Sequence, residues 1–265
     1  MQCPFCKEEI VDGAVKCKYC KSMLTQSPAQ QATATITPPQ FEILYPGSYA
    51  MAKVILKRGS SVKAESGAMV SMSPTIEVEG KLEGGIMGAL GRKFLTGESA
   101  FLQTLKAVHG DGEVLLAPAT PGDLKILDLN GSNSFFVQKE GFMAADSSLE
   151  ITVASQGIMK GFLSKEGVFI QRVTGNGKLV ISSFGAIHKL TLGAGESIIV
   201  DNAHLVAWST TVSYEMRNAS SGLINTLTSG EGLVCYVSGP GEMYVQSRNA
   251  GGFGTWIKRF LPSVS

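Results

Sequence analysis

Two closely spaced cysteine pairs place the strongest constraint on how this chain can fold. Cys3 and Cys6 form one Cys-x-x-Cys pair, and Cys17 and Cys20 form the other. A two-residue gap lets one tight turn present both sulfurs to one ion, and structural zinc takes four such ligands in a tetrahedron. Four thiolates leave no open coordination position for a reaction. The pattern therefore predicts a zinc ribbon over residues 1–24 that holds one structural Zn2+ ion.

The alternative for clustered cysteines is a pair of disulfides in a small secreted domain. No apolar signal segment precedes Cys3, and the remaining chain contains only Cys235, so the pattern favours zinc. A segment this short cannot bury enough apolar surface to fold alone, so bound metal would supply much of its stability. The segment resembles the zinc ribbons at the start of many bacterial proteins, which implies a structural ion and a docking role.

Composition divides the rest of the chain into a linker, a body and a tail. Residues 25–40 are mostly Gln, Ser, Pro, Ala and Thr without a charged residue, which is typical of a flexible linker. The chain has 31 glycines, 17% charged residues and many short apolar runs, and this combination predicts an all-β body over residues 41–250. Residues 251–265 are predicted to form an amphipathic tail. No apolar stretch reaches the length of a membrane span.

The predicted body contains an internal repeat, because three landmarks recur three times in the same order. Each copy has a glycine turn before a strand of small and bulky residues, then a glutamate beside a glycine, then a Gly-x-Gly hairpin tip. The turns lie at Gly59, Gly131 and Gly195, and the tips lie at 110–112, 175–177 and 239–241. Such a repeat predicts three tandem β units, about 41–118, 119–183 and 184–250. If each unit buries one apolar face, the body becomes a triplicated β-helix or prism with pseudo-threefold symmetry.

These landmarks also carry a family resemblance. Together with Gly97-Glu98-Ser99, the run from Leu115 to Pro118, and Gly239-Pro240-Gly241, they resemble the Altered Inheritance of Mitochondria twenty-four family over about residues 41–249. The resemblance implies a triplicated β-helix-like fold, similar to the trp RNA-binding attenuation protein superfamily. Mitochondrial members are tied to inner-membrane organisation, and the family has no established catalytic residues to carry over. The chain lacks an Arg-rich transit peptide, which favours a prokaryotic cytoplasmic protein that can bind peripherally to a membrane.

Three apolar segments occupy matching places in the repeat and are candidate contact surfaces. Their apolar pairs are Ile86 and Met87, Ile158 and Met159, and Leu223 and Ile224. One interpretation is that they cap the open end of the body or pack a subunit interface in a homo-oligomer. The other is that they are exposed and contact a membrane surface or a partner protein.

Two further features bear on the interaction surface. In the tail, Trp256 and Phe260 belong to a set of apolar residues whose helical spacing places them on one face, and Lys258 and Arg259 lie off that face. This pattern suits an interfacial helix and equally a helix docked on its own domain. The three repeated glutamates Glu98, Glu166 and Glu231 would form either a ring, with Arg92, Arg172 and Arg248 as candidate partners, or separate local turns.

Signatures of catalysis are missing from the sequence. The three histidines His109, His188 and His204 show no metal-ligand spacing, and no Gly-x-Ser-x-Gly elbow occurs. His109 is expected beside a hairpin tip and His204 on a strand, in ordinary turn and surface roles. Cys235 lies in an apolar run and is expected to be a buried small hydrophobe. We therefore predict a non-enzymatic binding or scaffold protein whose ribbon docks to a partner. An RNA-binding regulator is the alternative, although a formal net charge of +1 provides little attraction for nucleic acid. An enzyme with an unrecognised site is a third.

Overall fold

The computed structural model describes residues 2–3, 6–12, 14, 16–19, 37–79, 102–153, 170–218 and 233–262. The chain divides into two compact units, Met1–Ile36 and Thr37–Ser265. The first contains the cysteine pairs, and its backbone forms an isolated antiparallel bridge between Gln2 and Glu9. The second is the body, whose described residues are mostly in strands. The expectation of an all-β body is therefore confirmed.

The strands of the body, where described, fall into one leading strand and three sets of six. The leading strand is β1 (Gln40–Leu44), and unit 1 follows with β2 (Met51–Leu56), β3 (Ser61–Glu65), β4 (Met69–Met72), β5 (Ile76–Glu79), β6 (Leu102–Ala107) and β7 (Gly112–Leu116). Unit 2 has β8 (Leu124–Asn130), β9 (Phe135–Gln138), β10 (Phe142–Asp146), β11 (Glu150–Val153), β12 (Ile170–Thr174) and β13 (Asn176–Ser182). Unit 3 has β14 (Ile187–Leu192), β15 (Ser197–Asp201), β16 (Leu205–Ser209), β17 (Ser213–Asn218), β18 (Leu233–Ser238) and β19 (Gly241–Gln246). Two 3-10 turns, Lys139–Gly141 and Asn202–His204, precede β10 and β16, and helix α1 (Ala250–Lys258) follows β19.

The same antiparallel pairings occur inside each unit. The last strand of a unit pairs with its first and third strands, as in β7 with β2 and β4. The fifth strand pairs with the second and fourth, as in β6 with β3 and β5. Units 2 and 3 repeat all four pairings. The register shift in the third strand also repeats, after Met69, Phe142 and Leu205.

Sheets cross the boundaries between units. β3 of unit 1 pairs with β10 of unit 2, and β9 of unit 2 pairs with β16 of unit 3. Two six-stranded sheets result, with the orders β5-β6-β3-β10-β13-β8 and β11-β12-β9-β16-β19-β14. A four-stranded sheet, β1-β2-β7-β4, and a three-stranded sheet, β15-β18-β17, complete the described strands. Among these strands unit 3 does not pair with unit 1, so the pseudo-threefold prism stays a prediction.

Alternating side chains build the core of each unit. In β2, for example, Ala52, Val54 and Leu56 are buried while the residues between them are half-buried, as expected for a strand with one face on the core. The buried residues of the body form three clusters rather than one, each centred on one unit. Neighbouring units share them: Met143 of unit 2 belongs to the first cluster, and Val206 of unit 3 belongs to the second. The three cores therefore follow one another along the chain, and each boundary between units contributes residues of one unit to the core of the other.

The predicted hairpin tips overlap the observed ones, although their last glycines, Gly112, Gly177 and Gly241, lie in the following strands. Each tip joins the fifth and sixth strands of its unit, at 108–111, at Gly175 and at 239–240. None of the described helices is both long enough and apolar enough to cross a membrane.

Candidate functional site

Three cysteines of the N-terminal compact unit, Met1–Ile36, lie close together. The Sγ atoms of Cys3, Cys6 and Cys17 all lie within 4.8 Å of one another. Cys3 and Cys17 are fully buried, and Ile10 packs beside them. The fourth predicted ligand, Cys20, lies outside the described residues. Within the described part of the chain, this is the one group of three or more Cys, His, Asp or Glu side chains placed to share a metal ion.

The sulfur spacing fits ligands of one ion better than a disulfide. Cys6 Sγ and Cys17 Sγ are 3.7 Å apart, whereas a disulfide requires about 2.05 Å. Tetrahedral zinc with Zn–S bonds of about 2.3 Å places neighbouring sulfurs about 3.8 Å apart. The backbone supports the first knuckle, because the Cys3 carbonyl accepts a hydrogen bond from the Lys7 amide at 3.0 Å, and Lys7 adopts a φ of +65°. Cys3, Cys6 and Cys17 are therefore the described residues that could hold a metal ion together.

Helix α1 and the turn that follows it carry a stripe of exposed apolar side chains. We call Phe253, Trp256, Ile257, Phe260 and Leu261 the tail stripe. All five are exposed, Trp256 to 53% and Phe260 to 69%. The rings of Phe253 and Trp256 are 5.9 Å apart, and those of Trp256 and Phe260 are 5.1 Å apart. Phe253, Trp256 and Ile257 lie on the helix, as their spacing predicted, whereas Phe260 and Leu261 follow its end at Lys258. All five side chains face solvent.

Polar contacts fix the start of α1 to the body. Asn249 is the N-cap, and its Oδ1 accepts from the Gly252 amide at 2.6 Å. The side-chain amide of Asn249 donates to His204 Nε2 at 2.9 Å, and His204 Nδ1 donates to the Gln246 carbonyl at 2.7 Å. Phe253 adds an edge-to-face contact with Phe184, at 5.3 Å between ring centroids. The first turn of the helix is thus attached to unit 3 while Trp256 and Phe260 project from it.

His204 was expected on a strand and lies instead in the 3-10 turn before β16. Asp201 explains the difference, because its carboxylate accepts from the Ala203 amide at 3.0 Å and turns the chain there. His109 lies beside its hairpin tip, as expected, where Nε2 is 2.7 Å from Glu77 Oε1 on the exposed surface. His188 is exposed on β14.

Cys235 is fully buried, as expected. Its thiol contacts the Tyr214 hydroxyl at 3.0 Å, and that hydroxyl donates to Asn202 Oδ1 at 3.2 Å. Burial raises the pKa of the Cys235 thiol to about 11 and raises the pKa of Tyr214 as well. Both groups therefore stay protonated near neutral pH and form a buried polar chain that the sequence did not indicate.

Several predicted surface residues lie outside the described residues. These are the three apolar pairs (Ile86, Met87, Ile158, Met159, Leu223 and Ile224), the glutamates Glu98, Glu166 and Glu231, and Arg92. The other candidate partners, Arg172 and Arg248, are exposed. Each apolar pair lies between the fourth and fifth strands of its unit, so the strands that flank the three segments are equivalent.

The exposed apolar residues on two edge strands, β4 and β15, were not predicted from the sequence. Met69, Val70 and Met72 of β4 are exposed, and so is Ile199 of β15. Both are edge strands within the part of the body that the structure describes. Their residue pattern matches that of buried strands elsewhere in the repeat, so no local signal marks them as exposed.

Known proteins resemble the body of this chain. The family model described as Mitochondrial biogenesis AIM24 matches residues 41–248. An uncharacterized protein of Streptococcus pyogenes serotype M6 is 35% identical over 224 residues, which are 82% of this chain and 89% of that protein. A crystal structure of a Streptococcus pyogenes protein, 34% identical, superposes with a TM-score of 0.70 and covers 84% of this chain and 100% of its own. With its family match extending over most of its length, the chain belongs to the AIM24 family.

Proposed function

We propose that this chain is a non-catalytic binding and scaffold protein that attaches peripherally to a membrane surface through the tail stripe. The observation that carries the proposal is the exposure of Trp256 on α1 and of Phe260 in the turn after it, with the start of the helix fixed to the body. The N-terminal cysteine unit is proposed as a zinc ribbon that docks to a partner protein. The repeated β units would then be the scaffold that holds these surfaces.

The chemistry of the tail stripe favours a lipid interface. Trp and Phe side chains gain free energy at the boundary between headgroups and acyl chains, and neighbouring cations add attraction to anionic lipids. Lys258 and Arg259 adjoin the stripe, and both are exposed. The helix has no acidic residue in its first turn. A helix of nine residues is too short to span a bilayer, so its apolar face suits binding in the plane of the interface.

The repeat supports a second part of the proposal. Because the apolar segments at 86–87, 158–159 and 223–224 join equivalent strands, equal units would present them in an equivalent way. Because the same strand positions join unit 1 to unit 2 and unit 2 to unit 3, the three segments would lie on one side of the body. We propose that they add contacts to the same partner surface.

Flotation of the full chain with vesicles of phosphatidylcholine and phosphatidylserine tests the lipid proposal. We expect the intact chain to float, and the double variant Trp256→Ser, Phe260→Ser to lose about tenfold or more of its partitioning, because two large apolar side chains no longer enter the interface. The matched control is Tyr45→Ser, Tyr49→Ser, which removes two exposed aromatic rings outside the tail stripe. The proposal is wrong if the intact chain stays unbound, or if both double variants float equally.

Removing thiolates tests the zinc proposal. Replacing Cys6 and Cys17 with serine is expected to reduce bound zinc from one equivalent to none, because two of four ligands are lost. Elemental analysis measures the metal, and circular dichroism follows the melting of the body. Because the cysteine unit is separate from the body, the melting temperature of the body should stay nearly unchanged.

A third serine substitution is the control for the zinc experiment. Cys235→Ser makes the same chemical change inside the third core of the body. The Cys235→Ser variant should keep its zinc and have a lower melting temperature. The variant without Cys6 and Cys17 should instead lose its zinc and keep its melting temperature. Zinc retained after loss of Cys6 and Cys17 would contradict the proposed site.

A further inference from the structure

Two junctions join the three units, and both use the same strand positions. The second strand of unit 1, β3, pairs with the third strand of unit 2, β10. In the same way, the second strand of unit 2, β9, pairs with the third strand of unit 3, β16. Ala64 lies opposite Ala144 in the first junction, and Val137 lies opposite Ala207 in the second. Each junction therefore completes a six-stranded sheet from half of one unit and half of the next.

The remaining two sheets contain the counterparts of the strands that form these two junctions. β15 is the second strand of unit 3 and is the counterpart of β3 and β9, because it pairs with β18 as they pair with β6 and β12. β4 is the third strand of unit 1 and is the counterpart of β10 and β16, because it pairs with β7 with the same register shift. Both β4 and β15 are sheet edges among the described strands. The chain thus ends in two complementary half-sheets.

Exposure differs sharply between β4 and its counterparts. All four residues of β4 are exposed, whereas all five residues of β10 are buried. Val70 is 55% exposed, and its counterpart Met143 is fully buried. On the other edge, Ile199 is 52% exposed, and its counterpart Phe136 is buried. Among the described strands, a junction covers β10 and Phe136, and none covers β4 or Ile199.

Charge patterning also separates these two edges from the others. Exposed edge strands usually carry charged residues that discourage pairing with another chain. The other edges of the described sheets each do so, for example with Glu77 and Glu79 on β5 and with Lys189 on β14. β4 has no charged residue. β15 has three successive apolar residues and one carboxylate at its end, Asp201, which caps the following turn.

We propose that β15 of one copy of this chain pairs with β4 of a second copy, so that copies assemble head to tail. The two existing junctions give the register: Val200 opposite Ser71, and Ile199 opposite Met72. In this register Ile199 and Met72 take the places that Phe136 and Trp208 hold in the second junction, where the two rings lie 5.7 Å apart. The contact would bury the exposed apolar residues of both edges.

The assembly is heterologous, since the two contacting surfaces differ. Each added copy leaves one β4 edge and one β15 edge exposed, so growth continues until the two ends meet. This inference rests on strand pairing in the body and is independent of lipid binding.

Mass measurement by light scattering after size exclusion tests the proposal on the full chain. We expect the intact chain to have a mass that is a whole multiple, two or more, of 28.0 kDa. Ile199→Lys and Met72→Glu should each give 28.0 kDa, because each places a charge opposite an apolar residue at the junction. The double variant Ile199→Lys, Met72→Glu sets opposite charges against each other at every junction and should restore the larger mass. Thr191→Lys adds the same positive charge to the exposed edge strand β14 and should leave the mass unchanged.

Each outcome decides the question. An intact chain of 28.0 kDa at all concentrations overturns the proposal and favours closure of β15 on β4 within one chain. A larger mass that survives both single substitutions places the subunit contact elsewhere and also overturns it. If a single variant loses its β-sheet circular dichroism, the double variant decides, because recovery of the larger mass requires pairing between the two positions.

Discussion

Replacing Trp208 with alanine is expected to lower the free energy of unfolding by about 3–5 kcal/mol, the usual cost of removing a buried Trp. Trp208 is only 2% exposed and lies on β16, where it pairs with Phe136 across the junction of units 2 and 3. Its ring also stacks on Tyr214, at 5.1 Å between centroids. The substitution therefore opens a cavity in the third core and weakens a junction at the same time. Denaturant unfolding followed by circular dichroism measures the change.

The second tryptophan of the chain provides the control. Trp256 is half exposed in the tail stripe, so Trp256→Ala should change the free energy of unfolding by about 0.5 kcal/mol or less. Each single variant also leaves one tryptophan as a fluorescence reporter of its own surroundings. Equal stability of the two alanine variants would show that Trp208 is not a core residue.

Replacing Gly122 with alanine is expected to lower the free energy of unfolding by about 3 kcal/mol or more, because the added methyl group has no room. A Cβ atom at Gly122 would overlap the carbonyl oxygen of Ser183. Gly122 forms a parallel bridge with Gly185, and the Gly185 amide donates to the Pro121 carbonyl at 2.9 Å. The backbone on both sides is held by these bonds, so it cannot move away cheaply.

Gly59→Ala separates this crowding from the cost of backbone conformation. Gly59 has a φ of +89°, and a Cβ atom there would meet nothing within 4 Å. Its substitution should cost about 1–2 kcal/mol, the cost of a left-handed conformation alone. Thermal melts of both variants provide the comparison, and a Gly122 variant as stable as the Gly59 variant would rule out the close approach at Ser183.

Local patterns were sufficient to predict the class of fold and the places of several strands. The glycine turns and the runs of small and bulky residues predicted strands at 67–71, 141–145 and 203–207, and β4, β10 and β16 begin one or two residues later. The helical spacing of the tail was also correct. Gly251, Gly252 and Gly254 are poor helix formers, so they left the start of α1 uncertain in the sequence. Asn249 has a side chain that is favoured at an N-cap and was an available signal.

The sequence could not identify which strands are edges. β4 and β10 share the same local pattern of small and bulky residues, yet one is exposed and the other buried. The difference depends on the position of the unit in the chain, since unit 2 has a preceding unit to cover β10 and unit 1 has none. Pairing between distant strands carries this information, and a local pattern does not. For the same reason the Tyr214–Cys235 contact was not foreseen, because its residues are 21 positions apart.

The pairing of first with last strands has a consequence for how such chains can change in evolution. In every unit the last strand lies beside the first, as β13 lies beside β8 over seven residue pairs. The chain therefore enters and leaves a unit on adjacent strands, and the next unit attaches through a different strand. Duplication or deletion of a whole unit would leave the hydrogen bonds inside its neighbours intact. Length in this architecture can thus vary by complete units without redesign of the cores that remain.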